Sequence, residues 1–350
     1  MIQQSPWFAD DEYASLIQSS SHYVNSSVHS LELIGNGTRF VCAVDNGLIS
    51  ARTPPKRRMV EDVVNLIFEE SGKCFAVSPD GKMWAAADRG VPRLYRFASE
   101  NPSAVDHPLK TSPLLWQQSE ELPGLTSMIF SPDGCHLLAA ARRTVVVFST
   151  ARRTEYAEIP LPWNVYAITF SPDGTLLAVG GDSKDVVIVD WGARTVVHTI
   201  LDAHKHWCNA VKWSQDGSLL VTVGINDTNV FRTRDWTLKR PPIPTGRTVS
   251  VDVFSGAEAE SALILVANED RKVIVVDAAI GDVVFIHLAE RKLTPRSVRF
   301  MPNCSDIIYA GNTPFVYGLR WLPPKKILAE SQAATLLPHD VVNILAMFVP

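Results

Sequence analysis

The chain has 350 residues, 46% of them hydrophobic, five cysteines and a formal net charge of -4. That length fits two average domains or one closed all-β domain, and so mild a charge argues against a general nucleic-acid binder. Cys42, Cys74, Cys135, Cys208 and Cys304 are odd in number, scattered and without a CxxC pair, which suits a reducing compartment.

The N-terminus, MIQQSPWFADDEYAS, has neither the basic start nor the apolar centre of a signal peptide, so none is predicted. No apolar run approaches the ~20 residues needed to cross a bilayer. The first strand–turn–strand unit is LELIGNGTRFVCAVDNGLIS, with Asn36-Gly37 at its turn. Four sharper turns follow: SPDG at Ser78–Gly81, Ser131–Gly134 and Ser171–Gly174, and SQDG at Ser214–Gly217. Serine first, proline second and glycine last suit a type I turn with a left-handed exit residue. Looser versions stand at Phe254-Ser255-Gly256 and Phe300-Met301-Pro302-Asn303. From Ser131 the copies recur at roughly 40–45 residues, the period of four-stranded propeller blades, and the set predicts seven.

A second marker keeps the same phase. After the second strand of most repeats, an acidic or polar residue precedes an apolar one by three positions: Asp45/Leu48, Asp88/Val91, Asp227/Val230, Asp270/Val273 and Asn312/Phe315. The fourth repeat is shifted by one (Asp182/Val186), and the third has Arg142 before Val145. Two proline-containing stretches, Ala51–Val60 and Ala98–Pro113, read as long surface loops on the side that carries the SPDG turns. Beyond Trp321 the tail LLPHDVVNILAMFVP reads as a helix. Leu337, Val341, Ile344, Leu345 and Phe348 fall on one stripe, and Pro338 suits the first turn, so the helix is expected either to pack on the propeller flank or to dock on a partner.

The stretch from Asp190-Trp191-Gly192-Ala193-Arg194-Thr195 through His198-Thr199-Ile200-Leu201-Asp202-Ala203-His204 resembles the WD-repeat family. It is similar to the end of a third strand, a turn, an outer strand and the family's Gly-His dipeptide, with Ala203 in place of glycine. The resemblance covers roughly residues 28–322. It departs from the family in the scarcity of Trp-Asp pairs, Asp190-Trp191 being reversed. It implies an all-β fold: a seven-bladed β-propeller of four-stranded antiparallel blades, here followed by a C-terminal α-helix. The domains expected are 1–25, a segment supplying the closing strand of the last blade; 26–322, the propeller; and 323–350, the tail. It also implies a buried structural bond between His204 and Asp227, without the usual third-strand tryptophan, since Phe231-Arg232-Thr233 stands there.

The sequence holds no GxSxG elbow, P-loop, HExxH or dinucleotide fingerprint. His204, His206 and Cys208 share one face of an extended segment, but no fourth metal ligand is evident. No metal, no cofactor and no catalytic residue are therefore predicted. The loops that precede innermost strands, or join second to third strands, open on one axial face. They bring Arg89, Arg142, Arg143, Lys184, Arg247, Arg271 and Arg296, with Trp163, Tyr166 and Trp207 interleaved. Arginines among exposed rings suit an acidic or phosphorylated peptide. Pro54-Pro55-Lys56-Arg57-Arg58 is a solvated basic loop or an import signal, and Thr53 before it matches a proline-directed phosphorylation pattern. The expectation is a non-catalytic protein-interaction scaffold of a multiprotein complex, cytoplasmic or nuclear, with no membrane partner. An enzyme at the axial mouth and an RNA- or phosphoinositide-binding propeller are the alternatives.

Overall fold

The computed structural model describes residues 28–34, 39–44, 47–52, 64–67, 74–88, 90–97, 113–255, 261–289, 291–302, 304, 306–312 and 316–320. Among them every regular element is a β-strand, and the strands form seven antiparallel sheets. The first holds β1 (Val28–Ile34), β2 (Arg39–Val44), β3 (Gly47–Arg52) and β4 (Val64–Ile67). The second holds β5 (Phe75–Val77), β6 (Met83–Asp88), β7 (Val91–Arg96) and β8 (Leu114–Gln117). The third consists of β9 (Leu125–Phe130), β10 (His136–Ala141), β11 (Thr144–Ser149) and β12 (Thr154–Pro160). The fourth consists of β13 (Val165–Phe170), β14 (Leu176–Gly181), β15 (Val186–Asp190) and β16 (Thr195–Ile200).

The fifth sheet has three strands, β17 (Cys208–Trp213), β18 (Leu219–Gly224) and β19 (Thr228–Arg232). Among the described residues its outer edge is met by the isolated bridges Phe231↔Leu238 and Thr228↔Ile243. Pro241 and Pro242 lie between them and have no N–H to donate to a ladder. The sixth sheet comprises β20 (Thr248–Ser255), β21 (Ala262–Asn268), β22 (Lys272–Asp277) and β23 (Val283–Leu288). The seventh comprises β24 (Pro295–Phe300), β25 (Asp306–Gly311) and β26 (Val316–Arg320). A fourth strand for the seventh sheet is expected from Trp7–Val24, with Lys326–Ala329 as the competing supplier, and both stretches lie outside the described residues. So do the tail, Thr53 and Arg89.

The four SPDG-type turns are built alike, and their chemistry explains their recurrence. In the first, the Ser78 hydroxyl donates to Asp80 Oδ1 at 2.6 Å and accepts from the Met83 amide at 2.8 Å. Asp80 Oδ1 in turn accepts from the Lys82 amide at 3.0 Å. Gly81 leaves the turn at φ 67°, where a side chain is disfavoured. Ser131–Asp133, Ser171–Asp173 and Ser214–Asp216 repeat the arrangement. Each serine is buried, so the turn satisfies polar groups that lie under the sheet ends.

The core lies between sheets. Val221, Val223 and Val230 of the fifth pack with Val251, Ile264 and Ile274 of the sixth. Leu138, Val145 and Val147 of the third meet Ile168, Leu177 and Val187 of the fourth. Each innermost strand (β1, β5, β9, β13, β17, β20, β24) touches the innermost strands of both neighbouring sheets, β1 touching β24. A bulge opens at Val28, Leu125, Val165, Cys208, Thr248 and Pro295 and keeps these strands in one register. Four residues on from these stand Glu32, Ile129, Thr169, Lys212, Asp252 and Arg299. Ala76, two before its turn serine, takes the same place in β5.

Three of these seven positions are uncharged, and the other four alternate in sign. Lys212 Nζ lies 3.6 Å from Asp252 Oδ1, and Arg299 Nη2 lies 2.5 Å from Glu32 Oε1. Asp252 also accepts from the Phe300 amide at 2.9 Å. Burial opposes the charge on Arg299, but the Glu32 and Asp252 carboxylates outweigh it and hold the guanidinium protonated. The Leu31 amide donates to Ser297 Oγ at 3.2 Å, so polar bonds join the first sheet to the seventh.

Candidate functional site: the loop end around the ring

Because all pairings are antiparallel, the second-to-third strand turns and the entries to innermost strands share one end of the sheets. The SPDG turns occupy the other. Local bonds tie the shared end together. Val165 N donates to Arg142 O at 2.6 Å, and Thr294 N donates to Asn312 Oδ1 at 2.6 Å. Asn164 donates to the Asp182 carboxylate through its backbone N at 2.8 Å and its side-chain Nδ2 at 2.6 Å.

The best-formed buried group at this end is centred on His204, which is 3% exposed. Its Nδ1 lies 2.7 Å from Asp227 Oδ1, and its Nε2 lies 2.9 Å from the Thr222 hydroxyl. A neutral ring with its proton on Nδ1 donates to Asp227 and accepts from Thr222, so both nitrogens are satisfied. Burial pushes the Asp227 carboxyl up, but the hydrogen bond from His204, helped by Asn229 and the charge of Lys205, outweighs it, and the net shift is downward. Asn229 Nδ2 donates to the Ala203 carbonyl beside it. Gly224 is needed here, since a Cβ at that position would lie 2.6 Å from His204 Nδ1. Phe231, buried in β19, packs in the core shared by the fourth and fifth sheets.

The residues expected to face a partner separate into three groups. Lys184 forms an ion pair with Asp202, and Arg247 lies 3.3 Å from Glu269, so their charges are already answered. Arg142, Arg143, Arg271 and Arg296 form no ion pair among the described residues. Arg142, Arg143 and Arg296 are exposed, and Arg271 is half-buried. Arg142 and Arg143 make the two-residue turn between β10 and β11, with Arg142 at φ 49° and Arg143 donating to the Pro162 carbonyl. Arg271, at φ 65°, stands in the corresponding turn of the sixth sheet. Arg296 borders a recess of about 310 Å³ with Val249, Glu269, Thr294, Pro295 and Asn312.

The aromatic residues form the third group. Trp207 is 45% exposed and meets Tyr166 edge-on, with ring centroids 6.5 Å apart across the fourth and fifth sheets. Burial, and then the Asp182 charge, raise the Tyr166 phenol. Trp163 packs against the core of the third and fourth sheets. Cys208, two residues past His206, is fully buried, and burial lifts its thiol to about 12.

Several residues that organise this end, or the ring beneath it, escape the sequence reading. Thr222 is one: a single hydroxyl in the apolar run LLVTVG, and that isolation is its signal. The charged positions Glu32, Lys212, Asp252 and Arg299 are others. Each falls four residues after the bulged residue of its innermost strand, and the ladder register, not the turn motif, exposes them. Arg194, at the opposite end, lies 4.6 Å from the Tyr156 ring centroid and 5.3 Å from that of Trp191.

The family profile described as "WD domain, G-beta repeat" matches residues 161–190 and 194–231. Telomerase Cajal body protein 1 of Mus musculus is 27% identical over 154 residues, covering 41% of this chain and 28% of that protein. The Homo sapiens protein of the same name is 26% identical over 168 residues, 44% of this chain and 30% of its own. Periodic tryptophan protein 2 of Saccharomyces cerevisiae is 30% identical over 110 residues, 31% of this chain and 12% of its own. The chain thus spans less than a third of the length of each of these relatives. The profile falls on β13 to β19, where the serine–aspartate turns, the outer strand β16 and the buried His204 follow one another in the order of a WD repeat. By these features residues 161–231 carry WD repeats, and the chain is similar to WD-repeat proteins.

Proposed function

We propose that the chain is a single seven-bladed propeller acting as a non-catalytic platform, and that it holds an acidic protein segment at the loop end of the ring. The observation that carries this reading is the pairing of unanswered arginines with an exposed ring. Arg142 and Arg143 project from the third sheet, and Trp207, 45% exposed, stands at the entry to the fifth. Arginine and tryptophan are the residue types most enriched at binding hot spots, and guanidinium groups take carboxylates or phosphates in bidentate fashion. Two relatives carry telomerase and the Cajal body in their names, which favours a nuclear site and a multiprotein setting for this chain.

Charge reversal tests the proposal. The Arg142→Glu, Arg143→Glu protein should keep its melting temperature and lose capture of its principal protein partner. Capture in the unchanged protein should weaken as salt rises, through screening. The pair Arg271→Glu, Arg296→Glu asks whether the recess side of the ring takes part. Full capture by both charge-reversed proteins, at normal stability, removes this end from consideration.

A further inference from the structure

The outer strands β12 and β23 hold the same place in the third and sixth sheets, and each is bulged once against its inner neighbour. Directly paired residues of antiparallel strands share a face. Glu155 and Glu158 pair with Phe148 and Val146, which pack towards the second sheet. Val283 and Ile286 pair with Val276 and Ile274, which pack towards the fifth, and Leu288 follows on that face opposite Lys272. The fold makes no demand for apolar residues at these places, because β12 fills them with Glu155, Glu158 and Pro160. In β23 the stripe is Val283, Ile286 and Leu288, respectively 42%, 41% and 56% exposed. The opposite face of β23 is covered, with His287 Nε2 lying 2.9 Å from Tyr309 Oη of the seventh sheet. The stripe is left open because the facing edge of the fifth sheet is interrupted at Pro241-Pro242.

The chain carries a segment of matching size and chemistry. Residues 321–350 follow β26 of the seventh sheet, the sixth sheet's neighbour. The stretch 321–336, extended at ~3.3 Å per residue, reaches about 50 Å. Leu337, Val341, Ile344, Leu345 and Phe348 then fall at helical spacing. A helix over 337–348 is about 17 Å long, the length of a six-residue strand such as β23. The charged residue of that stretch is Asp340, and the exposed Lys272 stands opposite Leu288.

We propose that the apolar stripe of residues 337–348 docks on the Val283–Ile286–Leu288 face of β23, giving the sixth sheet the cover that the broken edge of the fifth does not. Hydrogen exchange on the full chain tests it. Amides of 337–348 should exchange at least about tenfold more slowly in the unchanged protein than in Ile286→Glu, Leu288→Glu, which copies the glutamates of β12. The reciprocal Val341→Glu, Ile344→Glu changes no residue of the seven described sheets and should speed the same amides equally. If the β23 variant unfolds, the tail variant decides alone. Fast exchange of 337–348 in the unchanged protein overturns the proposal, as does protection that survives the substitutions. Protection that rises with protein concentration, with a dimer in sedimentation, also overturns it and assigns the stripe to a second copy of the chain.

Discussion

His204 is held at both ring nitrogens, so removing either main partner strands the other in a site from which water is excluded. His204→Ala or Asp227→Ala should each cost about 1–3 kcal/mol of unfolding free energy. The two residues are in contact, so a double-mutant cycle should show a coupling energy, and strict additivity would remove the pair from the account of stability. Trp207 has a different standing, since nearly half of it meets solvent and its loss opens no core. Trp207→Ala should leave the melting temperature in place and weaken partner binding by about 2 kcal/mol or more, as titration calorimetry would read it. A drop in stability with binding unchanged would make Trp207 a packing residue, as Trp163 already is.

At the scale of elements, the turns carry a pH signature. In Asp173 the bond from Ser171 and the amide of Thr175 draw the carboxyl down, with burial opposing weakly. In Asp80 and Asp133 burial pushes up first, and the serine and amide bonds outweigh it. Each therefore has a folded-state pKa below its unfolded value of about 3.9. The stability they contribute is present above that value and fades as pH falls through the folded pKa. Asp173→Asn should lower stability at pH 7 and flatten its fall in acid below about pH 4, measured by urea unfolding across pH. The other element in question is the fourth strand of the seventh sheet. If residues 1–25 supply it, their deletion should lower the melting temperature sharply, because β26 is left with an open edge. An unchanged temperature would turn attention to Lys326–Ala329.

The all-β repeat was legible from its serine–aspartate turns and not from its centre. Ser78, Asp80 and Gly81 bond with one another and with Met83 five residues on, so their chemistry survives in a short string and repeats with the sheet. His204 and Asp227 were legible because a family order places them, though Thr222 between them in the chain was not. The arginines were found as a set, but the sequence could not divide them. Asp202 and Glu269 answer Lys184 and Arg247 through geometry that composition does not hold. The charged ring lay furthest from view. Glu32 and Arg299 are 267 residues apart, and only the circular order of the sheets makes them neighbours.

That circular order has one discontinuity. Six of the seven boundaries between sheets join sheets that follow one another in the chain, and the seventh joins β1 to β24. Among the described residues its polar fastening consists of Glu32 with Arg299 and the Leu31 amide with Ser297. Unless residues 1–25 span it, that boundary is the one at which the ring opens first. The Leu31 amide is then the reporter of breathing: it should trade its proton for solvent deuterium ahead of the amides of β13 and β17, whose flanking boundaries the backbone spans.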